Sequence, residues 1–420
     1  MPVQDVNATR RLADAVTLPC GQLLPNRLVK SAMSEALGGR DHGPSEQLER
    51  LYRRWGAGGY GLVVTGNVMI DRRQLGEPGN VVIEDDRHLD GLRRWAGAYR
   101  GSPLWMQLNH PGRQANPLAG RSRPVAPSAI ASGIPGMARP RALAESEILA
   151  IVDRFGTAAA VAEAAGFDGV QIHGAHGYLV TQFLSPRSNQ RTDDWGGDPE
   201  RRRRFVLEVL RAIRRRVSPG FAVGIKLNSA DFQRGGFTEE ESREVVRALV
   251  AEGIDLIEIS GGSYEKPVMM GTVRESTAAR EAYFLDYART VMDLAGDVPI
   301  AVTGGFRTRQ TMTAAVAARD CDLVGLGRPT VVNPDAAVEL LDRGRERLEA
   351  PPIQFGARSI MRRFGELSAL DGALNLNWHT DQMHRMGRGL EPDPARGWRR
   401  AALVMVARNG FGALRPRRGQ

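Results

Sequence analysis

Short apolar runs alternate with longer amphipathic segments along most of the chain from Leu28 onward. The runs are apolar at nearly every position, as expected of strands that are buried on both faces of a parallel sheet. The predicted strands are 28–33, 61–67, 103–109, 167–173, 221–228, 254–260, 299–305 and 321–327. The predicted helices between and after them are 45–58, 86–99, 146–165, 199–217, 239–252, 280–295, 308–318 and 334–348.

The starts of three helices carry capping residues. Ser45, Asp198 and Thr238 stand at these starts, with Pro199 directly after the second. Eight strand–helix units within about 320 residues are typical of an α/β fold of the (β/α)8 TIM barrel type. A doubly wound sheet is the alternative, but no GxGxxG follows the first strand. We predict a barrel over residues 1–348 and a C-terminal extension with a basic tail over 349–420.

The composition is that of an ordinary globular protein, with 42% hydrophobic and 25% charged residues. No apolar run reaches the length of a membrane span, and the N-terminus lacks the plan of a secretory signal. Cys20 and Cys321 are the two cysteines, which excludes a disulfide framework, a cysteine-rich zinc site and a four-cysteine iron–sulfur cluster. We expect a cytoplasmic protein that does not contact a membrane.

The net charge of +9 is unevenly distributed, since residues 393–420 hold seven Arg and one Asp, a net +6. A basic tail on a nearly neutral body is weak evidence for a nucleic-acid groove. We therefore expect a small-molecule substrate, no nucleic-acid partner and a homo-oligomer. The segment WRRAALVMVARN in the extension is expected to form a short helix that packs against the barrel or a neighbouring subunit.

Barrel enzymes place their chemistry at the C-terminal ends of the strands and in the loops that follow. The long loops 110–144 and 174–198 are expected to lie over this mouth. The residues at the predicted strand ends are Ser31, Ala32, Met33, Ser34, Gly66, Gln107, His173, Lys226, Gly304, Gly305, Gly327 and Arg328.

The ends of strands seven and eight, TGGFRT and GLGRPT, favour a phosphate site over a packing explanation. Glycines let backbone N–H groups approach an oxyanion, and Arg328 can bind it bidentately. Gln107 offers a donor and an acceptor to the edge of a heterocycle. Lys226, one of three lysines among 57 basic residues, indicates either a salt bridge or a negatively charged ligand. A phosphorylated aromatic cofactor with an anionic state would fit all of these features.

The run GFDGVQIHGAHGYLVTQFLSPRSNQRTDDWGGDPERRRRF resembles the signature of the old yellow enzyme family of FMN-dependent ene-reductases. The motifs NRLVKSAMSEAL, WMQLNHPGR, GIKLN, TGGF and GLGRP follow the order and spacing of that family. The similarity covers roughly residues 20–340. It implies a (β/α)8 barrel that holds FMN non-covalently and takes NADH or NADPH as hydride donor.

The resemblance also implies roles for individual residues. The positions expected to line the flavin are Ser31, Ala32, Met33, Ser34, Gly66, Gln107, Lys226, Gly305, Gly327 and Arg328. His173 and His176 match the pair that activates the substrate, and Tyr178 matches the proton donor. Two positions depart from the pattern: Ser34 stands where relatives carry Cys or Thr, and Ala36 where some carry Tyr.

His173 and His176 have three interpretations: metal ligands, structural residues, or two donors to one substrate oxygen. A metal site needs further ligands, and the remaining histidines join no recognisable cluster. These are His42, His88, His110, His379 and His384. We favour the pair of donors, which would stabilise the enolate-like charge that develops on a carbonyl or nitro oxygen.

The expected reaction is a ping-pong reduction of the activated C=C bond of α,β-unsaturated carbonyl or nitro compounds. Hydride passes from NAD(P)H to FMN and then to the β-carbon, Tyr178 supplies the α-proton, and Lys226 stabilises the anionic reduced flavin. Alternatives are an FMN-dependent amine dehydrogenase or demethylase, a metal-dependent hydrolase, and a flavin reductase of tRNA uridine. The last would need an acidic cysteine over the flavin.

Overall fold

The computed structural model describes residues 10–120, 122–133, 137–261, 281–350, 353 and 368–409. Eight parallel strands close into a barrel in which each strand pairs with the next and β8 pairs with β1. The strands are β1 Leu28–Lys30, β2 Leu62–Met69, β3 Leu104–Asn109, β4 Gly169–Gly174, β5 Ala222–Asn228, β6 Leu256–Ser260, β7 Ile300–Thr303 and β8 Leu323–Leu326. The predicted (β/α)8 barrel is confirmed.

Several strands end earlier than their apolar runs predict. β1 stops at Lys30, so residues 31–33 belong to the following loop, and β7 stops at Thr303. Gly304 and Gly305 have φ angles of +146° and +88°, which extended strands do not adopt. The residues just past these two strand ends include Ala32, Met33, Gly304 and Gly305, which are only partly buried.

Helices connect the barrel strands. One helix follows each strand along the described chain: α1 Glu46–Gly56, α2 Leu89–Ala98, α3 Glu145–Ala164, α4 Pro199–Arg214, α5 Glu239–Ala251, α6 Leu285–Ala295, α7 Arg309–Ala317 and α8 Ala336–Leu341. Three further short α-helices lie in the described loops, at Pro117–Gly120, Leu179–Leu184 and Pro329–Val332. The predicted caps are confirmed: Ser45, Asp198 and Thr238 each accept a backbone N–H three residues ahead. α8 is shorter than the predicted 334–348 because the chain turns at Asp342.

The lower half of the barrel is filled with apolar side chains. The Trp105 indole lies at its centre, and a Cβ at Gly169 or Gly224 would come within 2.7 Å or 2.6 Å of it. A hairpin of Val16–Thr17 and Leu23–Leu24 closes this end. Because this half of the barrel interior is apolar, the polar side chains that could form a site lie at the other end, at the C-terminal ends of the strands.

The described part of the C-terminal extension forms two helices, α9 Ser368–Gly387 and α10 Trp398–Asn409. α10 confirms the helix predicted for WRRAALVMVARN, whereas α9 was not predicted. α9 packs on α1 and near the end of β8, and His384 Nε2 lies 2.9 Å from the Glu35 carbonyl. Among the described helices, none is long and apolar enough to cross a membrane. Most of 349–367 and all of 410–420 lie outside the described residues.

Candidate active site

A cavity of about 400 Å³ opens at the C-terminal ends of the strands. It brings together most of the predicted site residues: Ser31, Ala32, Met33, Ser34, Gln107, His173, His176, Tyr178, Lys226, Gly304, Gly305, Gly327 and Arg328. Its size falls within the range of about 300–1,000 Å³ that is usual for cofactor and ligand pockets. The residues chosen from strand ends therefore do share one space.

Gly66, which was also predicted to line the flavin, is the exception, because it does not line this cavity. Its N–H donates to Glu35 Oε1 at 2.7 Å, and a Cβ at this position would clash with Glu35 Oε2 and the Met33 carbonyl. Gly66 instead borders a small void beside Leu48 and Trp95, on the helix side of the sheet. The bulge in β2 between Val64 and Asn67 leaves Asn67 lining the cavity.

The floor of the cavity is a network of hydrogen bonds and one ion pair across five strands, β3 to β7. Gln107 Nε2 donates to Gln171 Oε1 at 2.8 Å, and Gln171 Nε2 donates to Glu258 Oε2 at 2.6 Å. Lys226 Nζ lies 3.0 Å from Glu258 Oε1, which also accepts from Thr303 Oγ1 at 2.5 Å. Lys226 thus makes the salt bridge that was one of its two interpretations, and it also faces the cavity.

One wall carries His173, His176 and Tyr178. The His173 ring lies edge to face with both others, at centroid distances of 5.2 Å and 4.7 Å. Ala175 N–H donates to His173 Nδ1 at 3.3 Å, so a neutral His173 carries its proton on Nε2. His176 Nε2 lies 3.0 Å from Ser260 Oγ.

Both imidazoles are neutral at physiological pH. Burial, followed by repulsion from Lys226, lowers the pKa of His176 to about 3. Burial, and then the neighbouring His176 and Lys226, holds the pKa of His173 well below its usual value. A neutral imidazole still offers one N–H donor, so neutrality removes the mutual repulsion of the pair without removing its ability to donate.

The turn after His173 is held by two glutamine side chains. His176 and Gly177 have φ angles of +63° and +80°, a left-handed turn that is costly for a residue with a side chain. Gln114 Nε2 donates to both of their carbonyls, at 3.2 Å and 2.8 Å, and Gln182 Nε2 donates to Gly177 O at 2.8 Å. These bonds fix the place of Tyr178 in the wall.

The opposite end of the cavity is cationic and glycine-rich. Burial, followed by the nearby Arg307, lowers the pKa of Arg328 to about 10, so its guanidinium remains charged at neutral pH. A Cβ on Gly304 would meet the Phe284 ring at 2.8 Å, and one on Gly305 would meet the Ala282 nitrogen at 2.9 Å. At Gly327 the space is open except for Met33 Sδ at 3.7 Å. The guanidiniums of Arg307 and Arg328, next to the backbone of these glycines, fit a phosphate group.

Helix α9 supplies a wall that the sequence did not indicate. Its cavity-lining residues are Gly372, Asn375, Leu376, Asn377, His379, Thr380 and Met383. His379 Nδ1 lies 2.7 Å from the Asn375 carbonyl, and its buried Nε2 has no hydrogen-bond partner among the described residues. The sequence analysis places His379 in no site, although Asn375, His379 and Met383 recur every four residues, the spacing of one helix face.

A family model described as "NADH:flavin oxidoreductase / NADH oxidase family" matches residues 20–347. The chain belongs to this family, that of old yellow enzyme. It is 40% identical over 345 residues to "NADH-dependent flavin oxidoreductase iliE" of Hypocrea jecorina (strain QM6a), covering 76% of this chain and 86% of that protein.

Solved structures of the family share the fold. A morphinone reductase N189A mutant in complex with tetrahydroNAD superposes with a TM-score of 0.67 at 26% identity, covering 82% of this chain and 93% of that one. The old yellow enzyme homologue from Zymomonas mobilis gives a TM-score of 0.67 at 23% identity, covering 81% and 94%. This member of the old yellow enzyme family is an NADH:flavin oxidoreductase with FMN as cofactor.

The residues present fit FMN. The cationic glycine-rich end suits its phosphate, and the amide of Gln107 and the ammonium of Lys226 suit the polar edge of its ring. Glycine is also required at Gly325, where a Cβ would lie 1.7 Å from Thr303 Oγ1. Across the described part of the chain, no three His, Cys, Asp or Glu side chains are grouped to hold a metal ion.

Proposed function

We propose that this enzyme uses NADH to reduce the activated C=C bond of α,β-unsaturated carbonyl or nitro compounds. The observation that carries the proposal is the wall of His173, His176 and Tyr178 beside a floor that fits FMN. When bound, FMN supplies two-electron hydride chemistry between the nicotinamide and the acceptor. The protein supplies binding, orientation and the proton.

The histidine pair binds and polarises the acceptor. His173 Nε2–H is the available donor, because Nδ1 is occupied by the Ala175 N–H. When Ser260 donates to His176 Nε2, the proton of that ring lies on Nδ1, which gives a second donor. Two fixed N–H donors in a buried site stabilise the negative charge that develops on a carbonyl or nitro oxygen.

Tyr178 delivers the proton that completes the reduction. Its side chain is buried in the wall against the His173 ring, and it lines the cavity. A phenol with a reference pKa of about 10 stays protonated in the resting enzyme and can protonate a carbanion-like α-carbon. Placing the proton donor next to the oxygen-binding pair allows addition of hydride and proton to adjacent carbons.

NADH and the acceptor use the same space in turn. The cavity of about 400 Å³ must hold FMN first, which leaves one space at the histidine wall for both substrates. A shared space explains a ping-pong order, in which the oxidised nicotinamide leaves before the acceptor enters.

Reduction of tRNA uridine is less well supported than alkene reduction. Cys321 is buried at the start of β8, and Cys20 lies beside the hairpin at the closed end of the barrel. Among the described residues that line the cavity, none is a cysteine, so no thiol is placed to act as the acid.

Anaerobic spectroscopy tests the proposal. We expect the purified protein to bind FMN, to lose the flavin absorbance on addition of NADH, and to regain it on addition of cyclohexenone, maleimide or a nitroalkene. A parallel titration with trimethylamine distinguishes the amine dehydrogenase, because bleaching by an amine without NADH would favour that function. Protein that is bleached by NADH but is not reoxidised by any activated alkene would refute the proposed substrate class.

A further inference from the structure

Glu258 is a carboxylate in the interior of the barrel, 1% exposed and directly below the cavity. It accepts hydrogen bonds from Gln171 Nε2 at 2.6 Å and Thr303 Oγ1 at 2.5 Å, and Lys226 Nζ lies at 3.0 Å. Burial alone would raise the pKa of Glu258, but Lys226 and these hydrogen bonds outweigh burial and lower it. The group is therefore an anion at the centre of the fold.

The contacts of Glu258 reach the cavity through other residues. Lys226 and Thr303 line the cavity, and Ser31, which also lines it, lies 2.7 Å from Thr303 Oγ1. Gln171 links the carboxylate to Gln107, a further lining residue. Glu258 thus contacts the polar floor from beneath.

An acceptor-only carboxylate fixes the direction of this chain of hydrogen bonds. Gln171 has to present its NH2 group to Glu258, so its Oε1 faces Gln107. Gln107 then uses Nε2 for that bond and keeps Oε1 as an acceptor for a ring N–H in the cavity. The direction follows from the chemistry of the carboxylate, whichever way the amides are assigned.

Charge gives Glu258 a second effect. The ammonium of Lys226 would by itself favour the more negative, reduced state of a flavin above it. A carboxylate 3.0 Å from the same ammonium cancels most of that field at a distance. We propose that Glu258 is a positioning residue that neutralises Lys226, orients Gln107 and holds the midpoint potential of bound FMN below the value that Lys226 alone would set. This inference rests on the proposed placement of the FMN ring at Lys226.

The test is the midpoint potential of bound FMN at pH 7, measured against indicator dyes under argon. Glu258→Gln removes the charge but keeps the size, so we expect the two-electron equilibrium to shift at least tenfold toward the reduced state, about 30 mV more positive. Lys226→Gln should shift the potential in the negative direction. If Glu258 and Lys226 had a purely structural role, the two substitutions would not shift the midpoint potential in opposite directions.

Glu252→Gln is the matched control. Glu252 pairs with Arg211 beyond the end of α5, at the opposite end of β6 from the cavity, and the same charge is removed there. We expect its potential to equal that of the wild type. Glu258→Asp keeps the charge and should recover most of the difference between Glu258→Gln and the wild type.

An unchanged or more negative potential in Glu258→Gln would overturn the inference. If that variant does not fold, Lys226→Gln/Glu258→Gln is compared with Lys226→Gln, and the double variant must have the more positive potential. Failure of the wild type to bind FMN or to be bleached by NADH would instead count against the proposed function. The two failures are therefore distinguishable.

Discussion

The rings of His173 and Tyr178 meet edge to face, with their centroids 4.7 Å apart. His173 is held by a hydrogen bond from the Ala175 N–H, and Tyr178 by the turn that Gln114 and Gln182 clamp. The proposed oxygen-binding donor and the proposed proton donor are therefore held in place relative to each other, and the contribution of each can be measured separately.

Tyr178→Phe should slow the reoxidation of reduced enzyme by an enone roughly 10²-fold or more, the usual contribution of a general acid. Reduction by NADH requires no protein acid and should be almost unchanged. Stopped-flow absorbance of the two half-reactions measures both rates. Tyr99→Phe is the control, since Tyr99 pairs with Ser102 outside the cavity and its loss should affect neither step. Equal slowing of both half-reactions in Tyr178→Phe would contradict the assigned role.

Arg328→Ala should weaken binding of FMN but leave binding of riboflavin, which lacks the phosphate, nearly unchanged. A hydrogen-bonded charged group contributes about 1.5–3 kcal/mol, so the Kd for FMN should rise at least about tenfold. Quenching of flavin fluorescence measures both affinities. Arg309→Ala removes a guanidinium that pairs with Glu346 on the surface and should leave both unchanged. A parallel loss of affinity for FMN and riboflavin would place Arg328 away from the phosphate.

The barrel could be predicted from the sequence because each strand is buried on both faces and therefore reads as an apolar run. The ends of the strands could not be predicted as well. The apolar run of β1 continues through Met33, yet the ladder stops at Lys30, because the following residues leave the sheet to line the cavity. Apolar residues that line a cavity and apolar residues that are buried between strands leave the same pattern in the sequence.

Helix α9 escaped prediction for a related reason. Its buried positions include Asn375, Asn377, His379 and Thr380, so the face that turns inward is polar. An amphipathic helix is normally recognised by an apolar stripe, and in α9 the buried polar positions that line the cavity interrupt the apolar ones such as Leu374 and Trp378. Glu258 was missed because a single Glu in the run IDLIEIS does not reveal that it is in register with Lys226 on the neighbouring strand.

Four histidines with a lowered pKa, His110, His173, His176 and His379, make the stability of the protein dependent on pH. Burial is the first cause in each case, and the pKa falls to about 4 in His110 and about 3 in His176 and His379. A histidine in the unfolded chain has a pKa of about 6.5. Between that pH and the lowered pKa values, the unfolded chain therefore binds more protons than the folded chain. The free energy of unfolding should therefore fall as the pH drops from about 6.5 toward 4.

His379→Gln should make this dependence shallower. Removing one such group lowers the slope by at most about 1.4 kcal/mol per pH unit, the value for one proton. Urea unfolding of both proteins from pH 4.5 to 8 measures the slopes, and the comparison cancels the titration of carboxylates. The data at pH 8, where an unfolded histidine is neutral, report the effect of the substitution itself. Parallel curves over the whole range would show that His379 does not titrate on unfolding.

Trp378→Ala should destabilise the enzyme by about 3–5 kcal/mol, the range for removal of a large buried aromatic side chain. Trp378 is 1% exposed, packs with Leu374, and donates from Nε1 to the Arg396 carbonyl at 2.6 Å, which joins α9 to the segment before α10. Urea unfolding followed by circular dichroism at pH 7.5 measures the loss. Leu403→Ala is the control: Leu403 is 63% exposed on α10, and its truncation should change stability by no more than about 0.5 kcal/mol. Equal effects of the two substitutions would mean that the extension does not unfold together with the barrel, and the wall that α9 gives the cavity would then form independently of the core.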